Sequence, residues 1–335
     1  MLGAAAAGLC VLLNTPLPWM IGPLLVTAIG CMNGAPLAAA PPLRSAGQWV
    51  IGTALGLYFT PQVVAVVLGH WATILAGIAW ALALGACFGL FLQWANAGNA
   101  ALDRATLFFA SGIGGASEMT LLAERFRGRA DLVASAHSLR ILLVVLIVPF
   151  GFQLAGVHGL APTLAGPQTV DAAGLAVLAG LTLAGGALLQ RLGMANPWVL
   201  GPLAVAFALT SSSIELSALP RWLVNLGQLF IGVALGERFT PAFVKTAPRW
   251  MATVAVGTLA MMVLSAGFAW SAAQLSGLHP ATLMLGTSPG GIAEMCITAK
   301  VLQLGVPVVT AFHVTRMVAV VMLAEPIFRW MARGR

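Results

Sequence analysis

Pro18-Trp19-Met20-Ile21-Gly22-Pro23-Leu24-Leu25 returns far downstream as Pro197-Trp198-Val199-Leu200-Gly201-Pro202-Leu203-Ala204. Ile51-Gly52-Thr53-Ala54-Leu55-Gly56 returns as Ile231-Gly232-Val233-Ala234-Leu235-Gly236, each leading to a Phe-Thr-Pro, at Phe59-Thr60-Pro61 and Phe239-Thr240-Pro241. Gly114-Gly115-Ala116-Ser117-Glu118-Met119 returns as Gly290-Gly291-Ile292-Ala293-Glu294-Met295, and His137-x-x-Arg140 as His313-x-x-Arg316. The offset is 179 to 180 residues for the first two blocks and 176 for the last two. Blocks that recur in order at a near-constant offset predict two homologous repeats, 1–156 and 171–335, joined by a Gly/Pro/polar linker at 157–170.

The chain is 60% apolar and only 7% charged, against roughly 45–50% and 25% for soluble proteins. Apolar runs of membrane-crossing length recur throughout, and only helices or closed barrels hide their backbone in lipid. Alternating ten-residue strands are missing, so the fold class is an all-α polytopic membrane protein, placed in the bacterial cytoplasmic (inner) membrane. No stretch is long or polar enough for a soluble catalytic or DNA-binding domain. The net charge of +7 comes from sixteen basic residues scattered mostly in short loops, a pattern that suits cytoplasmic loops and anionic lipid rather than nucleic acid. Cys10, Cys31, Cys87 and Cys296 stand singly within apolar runs, without metal-ligand spacing. Met1 to Leu13 has the apolar core of a signal sequence but no basic flank, and reads as a first short membrane segment.

Six apolar stretches per half emerge, at about 2–13, 17–33, 46–59, 63–92, 105–123 and 131–156, then 171–190, 197–213, 222–237, 242–274, 280–302 and 305–331. That corresponds to five to six transmembrane segments per repeat. The loop charges leave parallel and inverted repeats both open. Gly52-x-x-x-Gly56 and Gly232-x-x-x-Gly236 occupy matching positions, where small residues let helices approach closely.

Ser111-Gly112-Ile113-Gly114-Gly115 and Thr287-Ser288-Pro289-Gly290-Gly291 interrupt apolar stretches. Glycine costs about 1 kcal/mol and proline about 3 in a helix interior, so each repeat is expected to contain a broken helix. A break at bilayer depth frees backbone groups for a ligand, ion or water, and the restarting helix aims its positive end at the gap. Glu118 and Glu294 follow directly; a carboxylate in a membrane is expensive and marks proton or ion pathways. His137 and Arg140 share a helix face, as do His313 and Arg316. The arginines either neutralise Glu118 and Glu294 or clamp a carboxylate substrate, and the histidines are proton relays or helix-to-helix hydrogen bonders. Gly114, Gly115, Ser117, Glu118, His137, Arg140, Ser288, Gly290, Gly291, Glu294, His313 and Arg316 form the expected substrate or ion site. His70, His158 and His279 have no counterpart in the other repeat. Gln48 and Gln228 suit either helix-to-helix bonding or a substrate path, and the Pro-Trp pairs are either interfacial anchors or the lining of a re-entrant turn ending at Gly22-Pro23 and Gly201-Pro202.

The Pro-Trp-x-x-Gly-Pro-Leu, Ile-Gly-x-Ala-Leu-Gly-x-x-Phe-Thr-Pro and Gly-Gly-x-x-Glu-Met elements resemble the AbrB-type family of duplicated membrane proteins, over nearly the whole chain. Members of that family carry the labels of regulator and of ammonia monooxygenase, and neither label states a mechanism. Ser288-Pro289-Gly290-Gly291 is also similar, over four residues, to the broken helices of bile-acid-symporter-like carriers, whose halves are inverted and cross at the site.

These readings converge on a secondary transporter of a small, anionic organic solute coupled to protons or sodium. A membrane-embedded regulator or sensor is the alternative. An oxygenase needs clustered metal ligands, and two deep histidines in separate repeats do not supply them, so neither an enzyme, a metal nor a cofactor is expected. The expected partners are the lipid bilayer, the transported solute or ion, no nucleic acid, and a second copy of the chain in a homodimer.

Overall fold

The computed structural model describes residues 1–37, 40–98, 102–157, 159, 167, 169–241 and 248–333. Fifteen helices and no strand are found among them. In the first half these are α1 (Leu2–Leu12), α2 (Pro18–Met32), α3 (Pro41–Gly56), α4 (Pro61–Gly69), α5 (Trp71–Ala95), α6 (Arg104–Ser111), α7 (Ala116–Arg125) and α8 (Ala130–Leu154). The second half contributes α9 (Ala172–Arg191), α10 (Pro197–Ser211), α11 (Arg221–Gly236), α12 (Pro248–Ser276), α13 (Pro280–Thr287), α14 (Ile292–Val301) and α15 (Val306–Arg333). Most of the expected 157–170 linker, with His158, lies outside the described residues.

Five helices, α5, α8, α9, α12 and α15, are long and apolar enough to cross a membrane, and α3 with α4 form a sixth candidate bent by 85°. Exposed Trp71, Trp94, Trp222, Trp270 and Trp330 lie at or near helix ends, where indole rings favour the headgroup level. Three expected single stretches are each two helices. The 63–92 stretch is divided at His70, 105–123 after Ser111 and 280–302 after Thr287. At 15 residues each, α2 and α10 are only about 22 Å long, short of a hydrocarbon thickness of ~30 Å.

Equivalent blocks start in the same way. Leu17 and Asn196 adopt left-handed φ of 51° and 47°, and Pro18 and Pro197 then open α2 and α10. Proline suits a first helical turn, where its missing N–H is not needed.

The chain forms two compact units, and neither is a half of the sequence. The first comprises 1–70, 149–241 and 296–308, and the second 71–148, 242–295 and 309–335. In the first unit α11 packs on α2, α10 on α3, and α3 on α11, while α1 and α9 flank α2 and α10. The glycines explain the crossed pairing. A side chain on Gly52 or Gly56 would run into the backbone of α10, at the carbonyls of Val199 and Leu203. One on Gly232 or Gly236 would run into α2, at the carbonyls of Met20 and Leu24. Each Gly-x-x-x-Gly strip therefore lies on the Pro-Trp helix of the other half of the sequence.

The second unit is cored by Leu84, Phe88, Phe109, Ile113, Met119, Trp250, Met261 and neighbours. Trp80 stacks on Phe268 with ring centroids 4.7 Å apart. The buried Trp250 indole donates to Leu132 O at 3.2 Å, and Asn96 Nδ2 donates to Thr253 Oγ1 at 3.1 Å, so that α12 is tied to α8 and to the end of α5.

Gly52→Leu and Gly232→Leu should each destabilise the folded protein by about 3 kcal/mol, since backbone cannot retreat as a side chain can. Gly180→Leu, on an open face of α9, should leave the melting temperature unchanged. Thermal unfolding of the three purified variants checks this.

Candidate functional site

Two interruptions in the second unit are built alike. α6 starts at Asp103, whose Oδ1 accepts the Thr106 N–H at 2.8 Å, and stops at Ser111. α13 starts at His279, whose Nδ1 accepts the Ala281 N–H at 3.2 Å, and stops at Thr287. His279, with no counterpart in sequence, is thus a helix cap. The next residues leave the helix by the same route: Gly112 has φ −58° and ψ 130°, and Ser288 has φ −59° and ψ 149°. Pro289 forbids Ser288 the helical region. Helices resume at Ala116 and Ile292.

Glu118 and Glu294 each stand third in the resumed helix. Negative charge is favourable there, beside unsatisfied N–H groups. Both carboxylates turn back over the preceding glycine. A Cβ on Gly115 would come within 3.0 Å of Glu118 Oε2, and one on Gly291 would overlap the Glu294 carboxylate. Glu294 is buried, while Glu118 is partly exposed with its Oε2 atom buried and without a hydrogen-bond partner among the described residues. Ser117 is exposed, whereas Ser288 is buried and donates from Oγ to Leu285 O at 2.9 Å.

α8 and α15 bring in matching His-Arg pairs. His137 Nε2 lies 3.0 Å from Phe109 O, and His313 Nε2 lies 2.9 Å from Leu285 O. A carbonyl can only accept, so Nε2 carries the proton in both rings and Nδ1 is left as an acceptor. Arg140 Nη2 donates to His137 Nδ1 at 2.7 Å, and Arg316 Nη2 to His313 Nδ1 at 2.8 Å. Both ring nitrogens of each histidine are thus engaged, one of them in tying α8 to α6 or α15 to α13. That geometry matches the helix-to-helix bonder of the two expected roles.

Arg316 also donates from Nη1 to Ser288 O at 2.6 Å and from Nη2 to Gly290 O at 2.7 Å, satisfying carbonyls that the end of α13 leaves free. Arg140 makes no ion pair with Glu118 among the described residues.

 The two interruptions also meet the opposite half of the sequence. Gly114 lies against Met317 and Val320 of α15, and Gly290 against Val144 of α8. Val320 is one turn from Arg316 and Val144 one turn from Arg140, so each interruption packs on the helix that carries the other half's arginine.

Eleven of the twelve expected site residues therefore gather in the interior of the second unit or at its two interruptions, and Ser117 is the exposed exception. Gln48, Gln228 and both Pro-Trp pairs fall in the first unit instead. The carbonyls of Phe109, Leu285, Ser288 and Gly290 escaped sequence reasoning because a backbone acceptor has no residue-type signal. Only the recurrence of the spacing from Phe109 to His137 and from Leu285 to His313 could have pointed to two of them.

Fold and site together define an all-helical protein with helices of membrane-crossing length, two of which carry a buried His-Arg pair. The family described as "Transition state regulatory protein AbrB" matches residues 19–332, and the chain belongs to that family. It is similar to the "Uncharacterized protein YhjN" of Bacillus subtilis (strain 168), at 26% identity over 355 aligned positions covering 98% of this chain and 91% of that one. It is also similar to the "Putative regulator AbrB" of Escherichia coli (strain K12), at 22% identity over 327 positions covering 95% and 91%.

Gly291→Ala should cost about 1–3 kcal/mol, because the new methyl displaces the Glu294 carboxylate. In the double variant Gly291→Ala/Glu294→Ala that clash is gone, so the two losses should be non-additive. Melting curves of the two single variants and the double variant measure the coupling.

Proposed function

We propose that this chain is a secondary transporter of a small anionic organic solute, coupled to protons or sodium, in the bacterial cytoplasmic membrane. In this reading the halves are two homologous repeats, and the interruptions at 112–115 and 288–291 are broken membrane helices facing one ligand site. The observation that carries it is the assembly, in one compact unit, of two matching sets of interruption, carboxylate, histidine and arginine drawn from both halves.

Each part has a physical task. The interruptions offer backbone donors and acceptors that water cannot reach. Arg140 and Arg316 make the interior positive, so an anion is the favoured guest. Glu118 and Glu294, at the resumed helix ends, are the groups that can carry a proton or hold a sodium ion during the cycle. His137 and His313 keep each arginine at a set height on its helix.

A membrane-embedded regulator is the second reading, favoured by the printed name of the Escherichia coli relative. It would use the same interior to bind a ligand and signal to a soluble partner.

Uptake into proteoliposomes separates the two. With an imposed pH or sodium gradient, one or more members of a panel of radiolabelled mono- and dicarboxylates should accumulate. Glu118→Gln and Glu294→Gln should each abolish the gradient dependence. Flux that keeps its gradient dependence in both variants removes the coupling role, and ligand binding without any flux favours the regulator.

A further inference from the structure

The two duplicated arginines do not have equivalent surroundings. Arg316, 4% exposed, has its head fastened to Ser288 O, Gly290 O and His313 Nδ1. Arg140, 3% exposed, donates from Nη2 to His137 Nδ1, and its Nη1, the atom that in Arg316 donates to Ser288 O, is buried with no acceptor among the described residues. The backbone accounts for the difference. Gly114 sits at φ +143°, a conformation open essentially to glycine alone, while Gly290 does not enter the positive-φ region. Peptide groups at the two interruptions are therefore turned differently, and only the second presents its carbonyls to the arginine of its own half.

A guanidinium cannot shed its charge by losing a proton. Buried without a counter-charge and with donors unmet, it is a standing cost to the fold. What would relieve both penalties at once is an oxyanion, which brings acceptors and negative charge together.

Resting on the transporter reading above, we propose that Arg140 is the residue that binds the acidic group of the solute, a carboxylate or comparable oxyanion, while Arg316 is a positioning residue that holds the 288–291 interruption in shape. The chemically matched pair is thus divided between ligand and scaffold. Val144, one turn from Arg140, touches Gly290, so the anion would lie beside the interruption that Arg316 holds.

The test uses the full chain in lipid nanodiscs, with potassium acetate as the probe and potassium chloride of equal ionic strength as the control. Arg140→Met removes an unsatisfied buried charge and should melt at or above wild type, by up to about 4 °C, whereas Arg316→Met should melt lower by a similar amount. Acetate should raise the melting temperature of wild type and of Arg316→Lys, and should have no effect on Arg140→Met. Equal destabilisation by the two Met variants overturns the proposal, as does an acetate shift that survives in Arg140→Met or is absent from wild type. If Arg316→Met does not fold, the comparison of Arg140→Met with wild type decides alone. An acetate shift that requires Arg140, without carboxylate flux in proteoliposomes, sinks the transporter reading and leaves the anion site. Flux that survives Arg140→Met does the reverse.

Discussion

Arg316 reaching from α15 to the carbonyls of Ser288 and Gly290 is the contact on which the interior of the second unit depends. The end of a helix inside an apolar chain leaves carbonyls that water would ordinarily satisfy, and a buried guanidinium leaves N–H groups in the same need. Each answers the other. His313 completes the arrangement by tying the same guanidinium to Leu285 O through its two ring nitrogens. The proline and glycines of 288–291 are thus tolerable because a specific side chain takes up what they release, and that side chain is tolerable because the chain is interrupted there.

The first unit is built on a different economy of space. Its helices meet backbone to backbone, with Gly52 and Gly56 over α10 and Gly232 and Gly236 over α2. Association in lipid is driven by close packing and polar contacts rather than by expulsion of water, so residues without a side chain are the ones that hold helices together. Each unit draws on both halves of the chain.

The two interruptions are nearly symmetric, and the surroundings of their arginines are where they differ most. The caps, the exits at Gly112 and Ser288, the turned-back carboxylates and the His-Arg pairs all correspond. Against that background the different fates of the Arg140 and Arg316 guanidiniums stand out as a difference in task rather than in kind. On the proposed reading, identical residues supply a rigid frame and an unmet demand because their backbone neighbours differ.

Much of this was legible beforehand. Composition and the length of apolar runs determined that the chain is helical with stretches long and apolar enough to cross a membrane, and the recurrence of Gly-Gly-x-x-Glu and His-x-x-Arg located the groups that now gather in the second unit. Proline and glycine located the interruptions, since local backbone preference is written in residue type. Only the tertiary structure decided that Gly52 lies on α10 rather than on a helix of its own half, that α4 and α5 part at His70, and which arginine finds its acceptors. Those outcomes depend on backbone carbonyls and on where distant segments come to rest, and neither is encoded in the identity or spacing of single residues.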